Sequence, residues 1–214
     1  MIGVVIPAHN EESFIASCLR SVIDATRHPA LDEEVQVLVV LDSCTDRTSQ
    51  IVGDFGVTAL VVNGRNVGQA RCAGARYLID RGARWLAFTD ADTVVSPEWI
   101  TRQVQLEVDA VCGTVNVDSW EAHSEAVRSK YESLYTPIEG HRHIHGANLG
   151  VCSYAYLQAG GFKHLEAHED VNLVQDLERS GARIVWTASN SVITSARKES
   201  KCREGFGDYL ISLA

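Results

Sequence analysis

The apolar run Trp85-Leu86-Ala87-Phe88 leads into Thr89-Asp90-Ala91-Asp92. A strand-length segment that stops on two carboxylates, one residue apart, offers hard oxygen ligands at the end of a buried strand. Magnesium and manganese suit such a place, because they take one or two carboxylates and leave the rest of the shell to phosphates and water. Asp90 and Asp92 are therefore candidate ligands for a divalent cation. The same acids could instead cap the helix that starts near Ser96-Pro97-Glu98, since Asp and Ser suit N-caps and Pro the first turn. His141, His143 and His145 alternate, which on an extended segment puts three imidazoles on one face. That pattern invites a second metal site, and fits as well a loop beside a substrate pocket.

The elements that must position these groups alternate between strands and amphipathic helices, the pattern of a parallel sheet covered on both faces. Strands are expected at Ile2 to Ile6, Val35 to Leu41, Val57 to Val62 and Arg84 to Phe88. Between them, helices are expected from Asn10 to before His28-Pro29, from Thr45 to about Phe55, and from Val67 to about Asp80. Each strand ends in small, polar or acidic residues: Pro7-Ala8-His9-Asn10, Asp42-Ser43-Cys44-Thr45-Asp46, Asn63-Gly64-Arg65-Asn66 and Asp90-Ala91-Asp92. Ligands bind outside the carboxyl ends of the strands in such sheets, so four polar clusters converge on one edge. The second half is less regular. It predicts a strand at Asp109 to Val117 and a helix from His123 to about Tyr135 with Val127, Tyr131 and Leu134 on one side. A short helix ending at Gly160-Gly161 follows, then a helix from Glu169-Asp170 to Gly181, short strands around Val185 and Val192, and a helix at Phe206 to Leu213.

The chain has 214 residues, 45% of them apolar and 22% charged, enough for one sizeable α/β domain. We read 1–214 as one domain, with 1–108 and 109–214 as its two halves. No apolar run reaches the roughly 18 residues that span a bilayer, and the N-terminal residues lack a basic leader, so the expected location is the cytoplasm or the inner membrane face. Six cysteines without a Cys-x-x-Cys pair suggest neither a zinc knuckle nor a redox dithiol. A net charge of −9 argues against nucleic-acid binding through a basic surface, so an anionic substrate needs local cations or a metal.

The ordered set Val4-Val5-Ile6-Pro7-Ala8-His9-Asn10-Glu11-Glu12, Leu41-Asp42-Ser43-Cys44-Thr45-Asp46, Asn66-Val67-Gly68-Gln69-Ala70-Arg71, Asp90-Ala91-Asp92, Gly146-Ala147-Asn148, Gly160-Gly161-Phe162 and His168-Glu169-Asp170 resembles the family-2 glycosyltransferases over nearly the whole chain. The resemblance implies a GT-A fold: a single α/β domain with a mostly parallel open sheet flanked by helices. It also implies inverting transfer of a sugar from a nucleoside diphosphate donor to an acceptor hydroxyl, with manganese or magnesium on the diphosphate. Carried over residue by residue, it places Pro7, Ala8 and Glu11 along the nucleoside pocket and Asp42 on the base. Asp90 falls near the ribose or a metal-bound water, Asp92 on the metal, Asp170 as the catalytic base and Glu169 beside it.

Arginine's planar fork suits phosphate, which makes Arg71 and Arg197 candidate donor-binding residues. Arg71 fits a solvated helix face equally well. Arg197 heads a basic stretch to Arg203 that could close over the donor or simply be exposed. Asn148, whose amide both donates and accepts, and His145 and His168 are candidates for the acceptor side, where the acceptor could be a carbohydrate, a lipid-linked molecule or a small molecule. The single aspartate in the turn after the second strand leaves uracil and guanine open, with uridine preferred. The Gln-x-x-Arg-Trp motif of processive members is absent, which points away from chain extrusion. A nucleotidyltransferase is the first rival, disfavoured by the acidic Glu11-Glu12 where those enzymes carry a basic phosphate loop. A non-catalytic nucleotide-sugar-binding module is the second, disfavoured because the metal and base carboxylates are present.

Overall fold

A computed structural model describes residues 1–197 and 205–213. In chain order the elements are β1 (Ile2–Ala8), α1 (Ile15–Thr26), β2 (Val35–Asp42), α2 (Thr48–Asp54), β3 (Thr58–Val62), α3 (Val67–Ile79), β4 (Trp85–Phe88), β5 (Thr93–Val94), α4 (Trp99–Val104), β6 (Ala110–Val117), α5 (Glu125–Leu134), β7 (Leu149–Cys152), α6 (Ser153–Gln158), α7 (Glu169–Arg179), β8 (Ile184–Thr194) and α8 (Phe206–Ser212). They build one eight-stranded sheet in the order β3-β2-β1-β4-β7-β6-β8-β5. β1, β2, β3 and β4 run parallel. β7 is antiparallel to both β4 and β6, while β6 and β8 run parallel.

Strand alternation sorts the core into two layers. Ile2, Val4 and Ile6 of β1 face one side with Ile15, Leu19 and Val22 of α1 and Trp99 of α4. Val5 faces the other, with Leu78 of α3 and Leu173, Val174 and Leu177 of α7. A third, smaller cluster joins Val127 and Tyr131 of α5 to Leu210 of α8 and to Ala196. Among the described residues, no helix is long and apolar enough to cross a membrane. Cys18, Cys44, Cys72, Cys112 and Cys152 are free thiols; Cys202 lies outside the described residues.

Three expectations are revised. The helix after the two acids starts at Trp99 with Glu98 at its cap position, and β5 intervenes, so neither Asp90 nor Asp92 caps it. The separate short strands around Val185 and Val192 are one strand of 11 residues, β8, whose register with β6 shifts between Cys112 and Thr114. Leu134 is exposed, leaving Val127 and Tyr131 as the buried residues of α5.

Candidate active site

The loops after β1, β2 and β3 are tied to one another by short polar side chains. Asn10, in a left-handed conformation with φ 53°, accepts hydrogen bonds from the backbone N–H groups of Thr45 (2.7 Å) and Asp46 (3.3 Å). Asp46 in turn accepts from the N–H of Thr48 at 2.9 Å and of Glu12 at 3.1 Å. Asp42 is the hub. Its Oδ1 accepts from the backbone of Gly64 and Arg65, each at 2.8 Å, and from the Ser43 hydroxyl at 3.0 Å, while Oδ2 accepts from the N–H of Asn66 at 2.8 Å. Burial pushes the Asp42 carboxyl up, but the backbone donors outweigh it and hold the group below the usual carboxylate range. A carboxylate offers about four acceptor positions, and Oδ2 is the less crowded of the two oxygens. His9 donates from Nδ1 to the Asp42 carbonyl at 2.6 Å, linking β1 to β2 above the strand ends.

Where β1 and β4 end, the carboxylates face arginines instead of backbone. Asp92 is well buried, with 13% of its side chain exposed, and lies 3.2 Å from Nη2 of Arg197. Arg197 also grips Glu11 through both of its terminal nitrogens, at 2.5 and 2.6 Å, and lies over the Phe14 ring. Burial drives the Asp92 carboxyl up to about 7; Arg197 pulls it down, and the nearby Asp90 and Glu11 charges push it up. Arg71 is buried on α3 and pairs with Asp90 at 2.5 Å and with Glu169 at the start of α7. Gly146 sits against that guanidinium: a Cβ there would lie 2.3 Å from Nη2. The solvated-face reading of Arg71 is therefore overturned, because the Gly and Ala residues around it on α3 pack against the sheet.

Among the described residues, no group of three or more His, Cys, Asp or Glu is placed to hold a metal ion. The described residues thus build no closed cage, and His141, His143 and His145 do not form one. Their rings stack in sequence, with centroids 5.5 and 6.3 Å apart. Asp92, with Asp90 and Glu11 close enough to raise its carboxyl, is nevertheless an open carboxylate site with surplus negative charge. That donor set fits magnesium or manganese, which bind through one or two carboxylates plus phosphate and water.

On the α7 side, Oδ2 of Asp170 accepts from the Gly146 N–H at 2.7 Å, and Oδ1 from the N–H of Val171 at 2.8 Å. His168 precedes them in a left-handed conformation, φ 58°, which turns the chain into the helix. Burial also raises the carboxyl of Glu169, opposed by Arg71. His145 Nε2 lies 3.1 Å from the Tyr135 hydroxyl. Burial, with help from His143 and His141, pushes this imidazole down to about 3, so it is neutral.

These groups share one cleft of about 1080 Å³, whose walls include Pro7, Ala8, Glu11, Asp42, Arg71, Asp90, Asp92, His145, His168, Glu169, Asp170 and Arg197. Asn148 is not among them. Its Oδ1 accepts from the Trp99 indole at 2.9 Å, and its amide nitrogen donates to the carbonyls of Thr114 (2.9 Å) and Asn190 (2.7 Å). It is a buried brace between α4, β6 and β8, so the acceptor assignment is withdrawn. Glu11 lines the same cleft, with its charge close to Asp92. His9, Arg65 and Asn66, from the strand-end clusters, also stand on the walls; sequence reasoning did not anticipate Glu166 or α8, which contributes Phe206, Asp208, Tyr209 and Ser212. A helix was expected at Phe206 to Leu213, but nothing local said where it docks. The basic stretch after Arg197, residues 198–204, lies outside the described residues.

The family model described as "Glycosyl transferase family 2" matches residues 3–164. A glucosyl-dolichyl phosphate glucuronosyltransferase from Haloferax volcanii is 23% identical, over 86% of this chain and 66% of its own length. Among solved structures, S. aureus TarS (residues 1–349) in complex with UDP-GlcNAc superposes with a TM-score of 0.70 at 17% identity, over 94% of this chain and 60% of that one. The mannosyltransferase PcManGT from Pyrobaculum calidifontis, in complex with GDP-Man and Mn2+, gives 0.69 at 17% identity, over 94% and 58%. The chain thus spans 58 to 66% of the length of these relatives. The structural likeness is one of fold, a single α/β domain of the GT-A type. The sequence match runs from β1 through the acids after β4 to the turn before α7, and on that ground the chain belongs to glycosyl transferase family 2.

Proposed function

We propose that this protein transfers a sugar from a nucleoside diphosphate sugar to an acceptor hydroxyl with inversion at the anomeric carbon. The observation that carries the reading is the shared cleft: the Asp90 and Asp92 carboxylates after β4 and the Asp170 carboxylate on α7 open into one space beside the loops of β1, β2 and β3. The nucleoside lies against Pro7, Ala8 and Asp42. Asp92, assisted by Asp90, holds magnesium or manganese. That ion, when bound, neutralises charge on the leaving diphosphate as a Lewis acid.

The remaining work belongs to the chain's own side chains. Asp170 accepts the proton of the attacking hydroxyl, and the Gly146 N–H fixes the orientation of its carboxylate. Arg71 pairs with Asp90 and Glu169 at the same time, which offsets one of their two negative charges and lessens their repulsion of Asp170 and the phosphates. His145, uncharged, adds no positive charge at the acceptor side and offers hydrogen bonds only. His168 stands next to Glu169 and Asp170 on the same wall, in place to meet the acceptor. A single base facing the leaving group is what inversion requires.

The test is release of free nucleoside diphosphate from UDP-sugars, then GDP-sugars, with and without candidate acceptors and with manganese or EDTA. Expected are metal-dependent release that rises with acceptor, and an inverted anomeric proton in the product by NMR. Retained anomeric configuration, or equal turnover in EDTA, contradicts the reading.

A further inference from the structure

Arg197 occupies an unusual position for a residue at the diphosphate end of a cleft. Its guanidinium lies edge-on to Glu11, 2.5 and 2.6 Å from the two carboxylate oxygens, and the same Nη2 reaches Asp92 at 3.2 Å. One cation thus bridges the acid after β1 and the acid after β4. Arg71 is engaged by Asp90 and Glu169, and among the described residues Arg197 is the cation paired with Glu11 and Asp92.

The backbone before the side chain is tied by hydrogen bonds: the Ala196 N–H donates to Asp118 at 3.2 Å, and His123 Nε2 donates to the Ala196 carbonyl at 2.6 Å. The arginine head is held by its ion pairs and by the Phe14 ring beneath it, and remains about one-fifth exposed to the cleft. A guanidinium does not lose its proton under ordinary conditions, so acidity does not release it. Another anion can, and a diphosphate offers the planar fork two parallel acceptors as a carboxylate does.

We propose that Arg197 is the counter-ion of Glu11 and Asp92, holding both until a diphosphate draws its guanidinium away and opens Asp92 to the divalent cation. This rests on the reading of Asp92 as metal ligand. A divalent ion that approaches Asp92 without nucleotide meets a fixed positive charge, and binds weakly. With nucleotide the arginine turns to phosphate, the carboxylate is freed, and the ion binds. Metal and nucleotide therefore bind with positive coupling, and linkage requires each to strengthen the other by the same factor.

The test is titration of the full chain with Mn2+, following free ion by electron paramagnetic resonance, for wild type and Arg197→Gln, first without nucleotide and then with saturating UDP or GDP. Without nucleotide, Arg197→Gln is expected to bind Mn2+ at least tenfold more tightly than wild type. Nucleotide adds phosphate ligands to the ion in both proteins, so wild type is expected to gain at least tenfold more in Mn2+ affinity than the variant does. Equal Mn2+ affinity of wild type and a folded Arg197→Gln without nucleotide, or no Mn2+ binding by that variant, overturns the proposal. If the variant melts out, the wild type still decides: a change in Mn2+ affinity on adding nucleotide of less than threefold overturns it as well. If neither UDP nor GDP binds, the donor reading fails, while the nucleotide-free comparison still judges Arg197.

Discussion

Asp42 and Asp92 stand at the ends of the two strands that flank β1, yet their surroundings differ in kind. Asp42 accepts four hydrogen bonds from residues 43 and 64–66 of its own chain. Asp92 faces an arginine that is itself shared with Glu11. A carboxylate saturated by backbone donors is part of the scaffold, because removing it leaves three N–H groups without their acceptor. A carboxylate balanced by a movable cation is available for exchange. One cleft thus combines a hydrogen-bonded end at Asp42, proposed for the nucleoside, with an ion-paired end at Asp92, proposed for the diphosphate.

That contrast can be broken or sharpened in four ways. Asp92→Ala should lose metal-dependent nucleotide binding by more than about a hundredfold, beyond the range typical of an outer-shell partner, while the melting temperature stays within a few degrees; calorimetry with and without Mn2+ checks this. A collapse of the fold would move Asp92 to the scaffold side. Asp170→Asn keeps shape and hydrogen bonding but removes the basic oxygen, so transfer should fall by at least ~10²-fold at matched donor affinity. Loss of donor binding in that variant would assign Asp170 a positioning role.

Asp42→Ala should do the reverse of Asp92→Ala. We expect a stability loss of about 2–3 kcal/mol from the hydrogen bonds to a charged acceptor, measured by urea denaturation, with weaker nucleotide binding as a secondary effect. An unaltered denaturation midpoint would erase the distinction between the two ends. The smallest effect concerns acidity. His145 falls from the ordinary 6.5 to about 3 in the folded protein, so the unfolded chain takes up that proton first. Its contribution to stability is complete above about 6.5 and is lost progressively as pH falls toward 3. In His145→Gln the decline of melting temperature between pH 7 and pH 4 should be shallower than in wild type; parallel declines would show that the imidazole is charged in the fold.

The alternating half of the chain was legible because its strands are continuous apolar runs and its turns are polar. β1, β2, β3, α3 and β4 fall within a residue or two of where periodicity puts them. The convergence of Asp42, Asp90 and Asp92 followed from a single rule about strand ends. β8 was harder to read, since Thr187 and Asn190 interrupt its hydrophobic pattern; both are buried in the interval between Trp186 and Ser191, where the register with β6 shifts. β5 has only two residues and is defined by pairing with β8, over a separation no local pattern can report. Arg71 was misjudged because its charge drew more weight than the run of Gly68, Ala70, Gly74 and Ala75 that shares its buried face. Asn148 was misjudged for the opposite reason: an amide that can both donate and accept looks free until Trp99, Thr114 and Asn190 come from three other elements to meet it.

The placement of β7 between β4 and β6 has a consequence for synthesis of the chain on the ribosome. When residues through 108 have emerged, β3, β2, β1 and β4 can already pair, since all their partners have been made. The far edge of β4 cannot, because its partner is Leu149–Cys152. Until then Trp85–Phe88, wholly buried in the finished fold, is an uncovered apolar edge of the kind that templates association between chains. A nascent chain stalled between those two points is the form from which aggregates should grow, and the stretch a chaperone would have to shield.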